Sequence, residues 1–202
     1  MNASDALIKT LVKNGLEVIF ANPGTSEMHL VASIDNNPEI RPVLGLFEGV
    51  VTGAADGYAR MAEKSAANLL HLGPGLGNGF ANIHNAKKAR SPLINIVGDH
   101  ATYHLKHNAP LTSDLDTLAK SASDWVGRSK KTCDICDLGN LAWQKANAFP
   151  GQISTLIIPA DCAWGDFDGN IPEPLEEKEL DLIDDSLTVS YTHLTLPTNG
   201  LV

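Results

Sequence analysis

"EVIFANPGTSE", residues 17–27, holds the pattern that decides the fold. Val18 to Ala21 are apolar without polar alternation, as in a strand covered on both faces rather than half-solvated. Pro23-Gly24 then makes a tight turn, and a helix is expected near 26–34. The unit returns along the chain. "PVLGLF" (42–47), "AANLLHL" (66–72), "PLINIVG" (92–98) and "ISTLIIP" (153–159) read as further buried strands, with "SDWV" (123–126) as a weaker sixth. Helical patterns lie near 3–14, 48–62, 77–89, 112–120 and 134–148. Ser4 is the expected cap of the first helix, and Asn14-Gly15 its stop. This alternation predicts an α/β fold: a doubly wound, mostly parallel six-stranded sheet with helices on both faces.

Composition sets outer bounds. The 202 residues suffice for one domain with a sizeable core, and 43% hydrophobic content suits a soluble protein. A net charge of −9, with basic residues dispersed apart from "RSKK" at 128–131, argues against a nucleic-acid binder. No run reaches the roughly 18 apolar residues of a membrane span. "MNASDALIKT" lacks the basic start of a secretory signal. Three cysteines, an odd number, fit a reducing compartment, so the expected location is cytoplasmic.

Residues 1–165 are read as the domain. The acidic, Pro-punctuated "IPEPLEEKELDLIDDS" (171–186) marks a linker leaving it, assigned to 166–187. "VSYTHLTLPTNGLV" (189–202) fits neither linker nor α/β unit. "VSYTHL" resembles the in-frame translation of a sequencing-library adapter, so 188–202 are expected to be a non-native tail on a truncated protein. The other reading is a genuine variable terminus.

Ligands of open α/β sheets bind outside the carboxyl ends of the strands, where this chain's unusual residues gather. "ANPGTSE" (21–27) follows the first strand, Glu48 the second, the four-glycine loop "HLGPGLGNG" (71–79) the third and "GDHATYHLKH" (98–107) the fourth. The loop lacks the Lys-Ser/Thr ending of a P-loop, so its glycines read as letting the backbone approach a flat ring. Glu48 stands alone among apolar and small residues in "LGLFEGVVTGAADGYAR" (44–60). Such surroundings disfavour the carboxylate, raise its pKa and let it exchange a proton near neutrality. The plain alternative is an acid placed at a helix N-terminus by the macrodipole.

"FANPGTSEMHLV", "LFEGVVTGAADGYAR", "LHLGPGLGNGFANIHNA" and "SPLINIVGD", in that order, resemble the N-terminal pyrimidine-binding domain of thiamine diphosphate enzymes, over about residues 3–165. Acetolactate synthases and benzoylformate decarboxylases are the nearest groups. The resemblance implies roles residue by residue. Glu48 matches the glutamate that hydrogen-bonds the cofactor's aminopyrimidine N1′. Proton exchange there promotes loss of the thiazolium C2 proton and attack on the carbonyl of a small 2-oxo acid. Pro23, Gly24, Gly75 and Asn78 match positions that approach the cofactor. Thr25 matches the decarboxylase serine that touches the substrate carboxylate. His71 matches the active-site histidine of benzoylformate decarboxylases, a proton relay, where acetolactate synthases usually have a small residue. Leu72, in place of a serine, departs from both patterns. A packed strand-end histidine is the other reading of His71. Glu48 and His71 are thus the expected catalytic pair.

In that family the diphosphate and Mg2+ are held on a separate domain through "GDG" and a later "NN", and some acetolactate synthases carry FAD on a middle domain. This chain has "GDH" at 98–100 and no such motif. The resemblance therefore implies half an active site, inactive alone. It would be completed by a second subunit's diphosphate-binding domain, in a homodimer or homotetramer. The favoured expectation is the cofactor-activating domain of a 2-oxo acid decarboxylase or carboligase resembling acetolactate synthase. Alternatives are a benzoylformate decarboxylase-like fragment, a natural split subunit and a non-catalytic binding module. His100, His104 and His107 would share a helix face, but no local carboxylate or cysteine completes a metal site and none is expected. His100 or His104 can instead sit at the site's edge. "CDIC" (133–136) has redox spacing but falls mid-helix and reads as surface or packing cysteines. Trp125, Trp143 and Trp164 read as core or interface residues.

Overall fold

The apolar runs pair as one six-stranded, all-parallel sheet in a computed structural model that describes residues 1–175. The strands are β1 (Val18–Asn22), β2 (Arg41–Leu44), β3 (Ala66–His71), β4 (Leu93–Asp99), β5 (Trp125–Arg128) and β6 (Ile153–Pro159), in the spatial order β2-β1-β3-β4-β6-β5. The helices are α1 (Ala3–Lys13), α2 (Met28–Asp35), α3 (Glu48–Ala62), α4 (Leu72–Ala89), α5 (Leu115–Ala122), α6 (Ile135–Asn147) and α7 (Ala160–Trp164). Most of the expected linker and all of the expected tail lie outside the described residues.

Two cores explain the apolar runs. Alternate strand residues such as Ile19, Leu69 and Ile96 pack with Leu7, Leu11 and Ile135 of α1 and α6. Their neighbours Phe20, Leu70 and Val97 pack with Val51, Leu76 and Leu115 of α3, α4 and α5 on the other face. A strand buried on both faces has no position for a polar alternation, and β4 and β6 are buried along their whole length.

β2 is the exception to the expected burial. Arg41, Pro42 and Leu44 are exposed, and the strand is four residues long at the sheet's edge. Pro42 has no N–H to donate to a further strand, which suits an edge. Strand β5 lies two residues later than expected, because its ladder pairs Trp125 to Arg128 with Ser154 to Ile157. Asn2, not Ser4, caps α1: its side chain accepts from the Asp5 N–H at 2.7 Å, while the buried Ser4 hydroxyl donates to the Ala163 carbonyl. The stop at Asn14-Gly15 is as expected, with Gly15 at φ +108°. Helix α7 was not expected.

The glycine-rich segment is helix, not loop. Helix α4 starts at Leu72, directly after β3. Pro74 is tolerated in the first turn, where backbone N–H groups have no intrahelical partner. The reversal without a linking residue is made by Leu72, which is buried and at φ +52°. That left-handed backbone costs a bulky residue about 1–2 kcal/mol. Tertiary packing outweighs the weak helix propensity of glycine: a Cβ on Gly79 would lie 2.7 Å from Thr52 Cγ2 of α3. The domain's packing also runs two residues past 165, since Phe167 is buried and its N–H donates to the Met1 carbonyl at 2.8 Å.

Candidate active site at the switch point between β1 and β3

Helix α2 leaves β1 for one face of the sheet and α4 leaves β3 for the other, so the crevice between these adjacent strands is the topological switch point. Gly24 and His71 meet there. A Cβ on Gly24 would stand 2.4 Å from the His71 ring, so only glycine lets the imidazole lie on this backbone.

Below the ring is a fully buried acid, Glu27. Its Oε2 accepts from the Gly24 N–H and contacts His71 Nδ1, both at 2.7 Å. When Glu27 is ionised, Nδ1–H donates to the carboxylate and Nε2 is left as the free, basic nitrogen. Burial pushes the Glu27 carboxyl above its ordinary pKa, opposed by the Gly24 N–H and by His71. The Glu27 side chain lies against the backbone of β4: a Cβ on Gly98 would fall 1.7 Å from Oε1. Glycine at 98 is therefore what makes room for the acid.

Glu48 opens α3, as the macrodipole alternative also requires. Its carboxylate is nevertheless held by α4, with Asn78 Nδ2 donating to Oε2 at 3.0 Å. Gly75 faces both groups: a Cβ there would be 3.5 Å from Glu48 Oε1 and 3.6 Å from His71 Cβ. The two helix starts are laced further by Asn82 donating to the Gly49 carbonyl (2.7 Å) and Thr52 to the Gly79 carbonyl (3.1 Å). The structure thus brings together Gly24, Glu48, His71, Gly75 and Asn78, with Thr25 next to Gly24 in a 3-10 turn and Pro23 before it.

The apolar neighbours do not enclose Glu48. Leu44, Leu46, Phe47 and Val50 are 69, 90, 50 and 60% exposed. Apolar surface gathered around a polar site is the mark of a docking face. The acid of this site that the chain buries alone is Glu27, which the sequence reading quoted but gave no role. Its signal was present, as the sole charge between Glu17 and Asp35.

Other candidates separate. Residues 100–107 are not an α-helix but a turn followed by a short 3-10 segment, yet the imidazoles of His100, His104 and His107 still lie in series, their centroids 5.6 and 5.4 Å apart and their planes tilted by 56 and 50°. Among the described residues no group of His, Cys, Asp and Glu could hold a metal. "CDIC" sits at the start of α6 rather than mid-helix, with Cys133 exposed and Cys136 buried. Trp125 and Trp143 pack on the core, and Trp164 is 43% exposed. At the end of β4, Arg128 bridges buried Asp99 and Asp116, each at 2.6 Å.

Comparison with known proteins gives the site a family. Residues 1–119 match the model of the thiamine pyrophosphate enzyme N-terminal TPP binding domain. The chain belongs to this family. It is 57% identical over 166 residues to a Mycobacterium tuberculosis protein named "Putative acetolactate synthase large subunit IlvX", covering 82% of this chain and 32% of that protein. It is 32% identical over 157 residues to the benzoylformate decarboxylase of Pseudomonas aeruginosa, covering 77% of this chain and 29% of the enzyme. The fold matches Rhodococcus jostii thiamine diphosphate-dependent 4-hydroxybenzoylformate decarboxylase with a TM-score of 0.83 at 24% identity, over 96% of this chain and 37% of that one. The chain thus spans about a third of the curated relatives' length.

Proposed function

We propose that this TPP binding domain activates the cofactor of a 2-oxo acid decarboxylase or carboligase, in a site completed by a diphosphate-binding domain of a second subunit. The observation that carries the reading is the convergence of Glu48, held by Asn78, with the Glu27–His71 pair across Gly24 and Gly75. Thiamine diphosphate, when bound, supplies the nucleophilic carbon and the electron sink for decarboxylation. Glu48 exchanges a proton with the pyrimidine edge. His71, oriented by Glu27, offers Nε2 to the reacting end and carries protons between substrate and solvent. Thr25 lies one residue from Gly24 and fits a hydroxyl contact to the substrate carboxylate.

Diphosphate and Mg2+ are assigned to the separate domain, and FAD to a middle domain in the acetolactate synthase-like branch. The exposed apolar ring around Glu48 supports docking on a second subunit. The higher identity to the Mycobacterium protein favours carboligation. The Glu27–His71 pair favours simple decarboxylation, whose last step is a protonation. No helix among the described residues is long and apolar enough to cross a membrane, and a cytoplasmic setting is the proposed one.

The test replaces the matching segment of the Mycobacterium relative with residues 1–166 of this chain and measures turnover of pyruvate and phenylglyoxylate with thiamine diphosphate. Glu48→Gln should lower kcat by about 10² to 10⁴. Full activity in that variant would refute the role of Glu48.

A further inference from the structure

Residues 100–113, between β4 and α5, form a loop whose two ends are closed by one side chain. Asp99, the last residue of β4, and Asp116, in the first turn of α5, both bind Arg128 at the end of β5. Arg128 Nη1 donates to Asp99 Oδ2 at 2.6 Å, and Nε and Nη2 reach Asp116 Oδ2 at 2.8 and 2.6 Å. The other Asp99 oxygen accepts from the His100 N–H, the first amide of the loop, at 2.7 Å. Surface ion pairs hold little, but this one is largely out of water: the side chains of Asp99 and Arg128 are 3 and 22% exposed. A compact surface loop with adjoining ends is of the Ω type, which is frequently functional.

The loop straddles the carboxyl edge of the sheet. On one face Thr102 donates to Asp161 of α7 from both its N–H and its hydroxyl. On the other it rests on the start of α4, where a Cβ on Gly73 would fall 2.1 Å from Ser113 Oγ. Gly73 stands between His71 and Gly75, so this contact sets the loop beside the site. Within the loop, His100 Nε2 donates to the Pro110 carbonyl at 3.2 Å. The backbone is strained there, since Asn108 and Leu111 take left-handed φ values of +45° and +72°. Asparagine tolerates that region, whereas a leucine stays in it only where its surroundings hold it. Leu111 is also 48% exposed, so the restraint comes from the loop's anchors rather than from burial of its side chain. We propose that Arg128 is a positioning residue of the site: it clasps residues 100–113 at both ends and holds them, already ordered, against the first turn of α4 beside His71 and Gly75. The inference rests on the proposed function, to which it adds the residue that fixes one wall of the site.

Hydrogen exchange of the 202-residue chain tests the clasp without turnover. Arg128→Met alone leaves buried Asp99 unpaired, so the deciding variant is Asp99→Asn/Arg128→Met, which removes that charge together with the cation. Its melting curve should lie near that of the parent. The hydrogen-bonded amides of Thr102, His104, His107 and Thr112 should nevertheless exchange at least about tenfold faster, measured against those of β4 and β6. Arg128→Lys keeps a charge but not the planar fork that reaches both carboxylates, and should loosen the same amides. In the chimera, the double variant should raise KM for the 2-oxo acid about two- to tenfold and leave kcat within about twofold, because a loop that must order on binding weakens ground and transition states alike. Parental protection of residues 100–113 in the double variant would overturn the inference. Faster exchange spread evenly along the chain, or a parent whose loop amides are already unprotected, would overturn it too, as would loosened amides with an unchanged KM. The functional reading fails on a different result, full activity of Glu48→Gln in the chimera, so the two failures are separable.

Discussion

Replacing Gly98 by alanine tests the placement of the Glu27–His71 pair directly. The new methyl would stand 1.7 Å from Glu27 Oε1 and 2.5 Å from Cδ. Strand β4 is paired with β3 on one side and β6 on the other, so its backbone has little room to yield. The carboxyl must move, giving up its bonds to the Gly24 N–H and His71. Overpacking of this kind costs about 1–3 kcal/mol. An orphaned N–H at Gly24 adds about 1–3 kcal/mol, for an expected total of about 2–6 kcal/mol. Glu27→Ala alone should cost about 2–4 kcal/mol, since it orphans the same N–H and leaves a small void. In the double variant the shortened side chain at position 27 no longer reaches the methyl, and the cost should fall back to about that of Glu27→Ala. The implied coupling is then the whole cost of Gly98→Ala, about 2–6 kcal/mol, against about 0.5–3 kcal/mol typical of residues in contact. Urea unfolding of the parent and the three variants at neutral pH, followed by circular dichroism, measures it. Additivity within about 0.5 kcal/mol would refute the placement of the carboxyl against Gly98.

Burial raises the Glu27 pKa above its ordinary 4.5, so the protonated acid is the better buried form. Its contribution to stability is complete below the ordinary value and is lost as pH rises through the raised one. Glu27→Gln removes that titration, and its stability should be flatter over the window in urea melts from acid to neutral pH. An unchanged slope would contradict the assignment. Arg128→Met leaves Asp99, 2% exposed, without its cation. It should cost about 3 kcal/mol, most of it recovered by adding Asp99→Asn; an unmoved melting curve refutes this. A Cβ on Gly77 meets open space, whereas one on Gly79 meets Thr52 Cγ2 at 2.7 Å. Thermal melts should therefore show Gly77→Ala stabilised by about 0.5–1 kcal/mol and Gly79→Ala destabilised, and the opposite order would refute the packing of α4 on α3.

The strands were legible because burial on both faces leaves an unbroken apolar run. "PLINIVG" and "ISTLIIP" fall where β4 and β6 lie. "PVLGLF" misled for the same reason in reverse: an apolar run does not say what covers it, and β2 turns out to be an edge. The helical start of α4 was hidden by its four glycines. Local propensity speaks against a helix there, and only the close approach of Thr52 and Glu48 shows why small residues are needed. Glu48 and His71 were legible as lone polar residues at strand ends. The pairing of His71 with Glu27 was not, because their contact spans 44 positions and depends on a glycine from a third strand.

Glu48 itself shows what the domain leaves to other parts of the protein. Its sequence neighbours are apolar, which suggests a carboxyl in a dry pocket, yet Leu46, Phe47 and Val50 face outward. The contact the chain does supply is a hydrogen bond from Asn78. Side chains so exposed beside a held carboxylate are stable in water only at a cost, about 25 cal/mol for each Å2 of apolar surface left wet. A surface that covered them would also dry Glu48, and a drier carboxyl holds its proton more tightly. On the proposed reading, docking of the second subunit therefore does two things at once: it buries the apolar ring and tunes the acid within it. Glu27 needs no such help, since its burial is complete within this chain, against Gly24, His71 and Gly98. On that reading, burial of one acid is set by the fold and burial of the other by assembly.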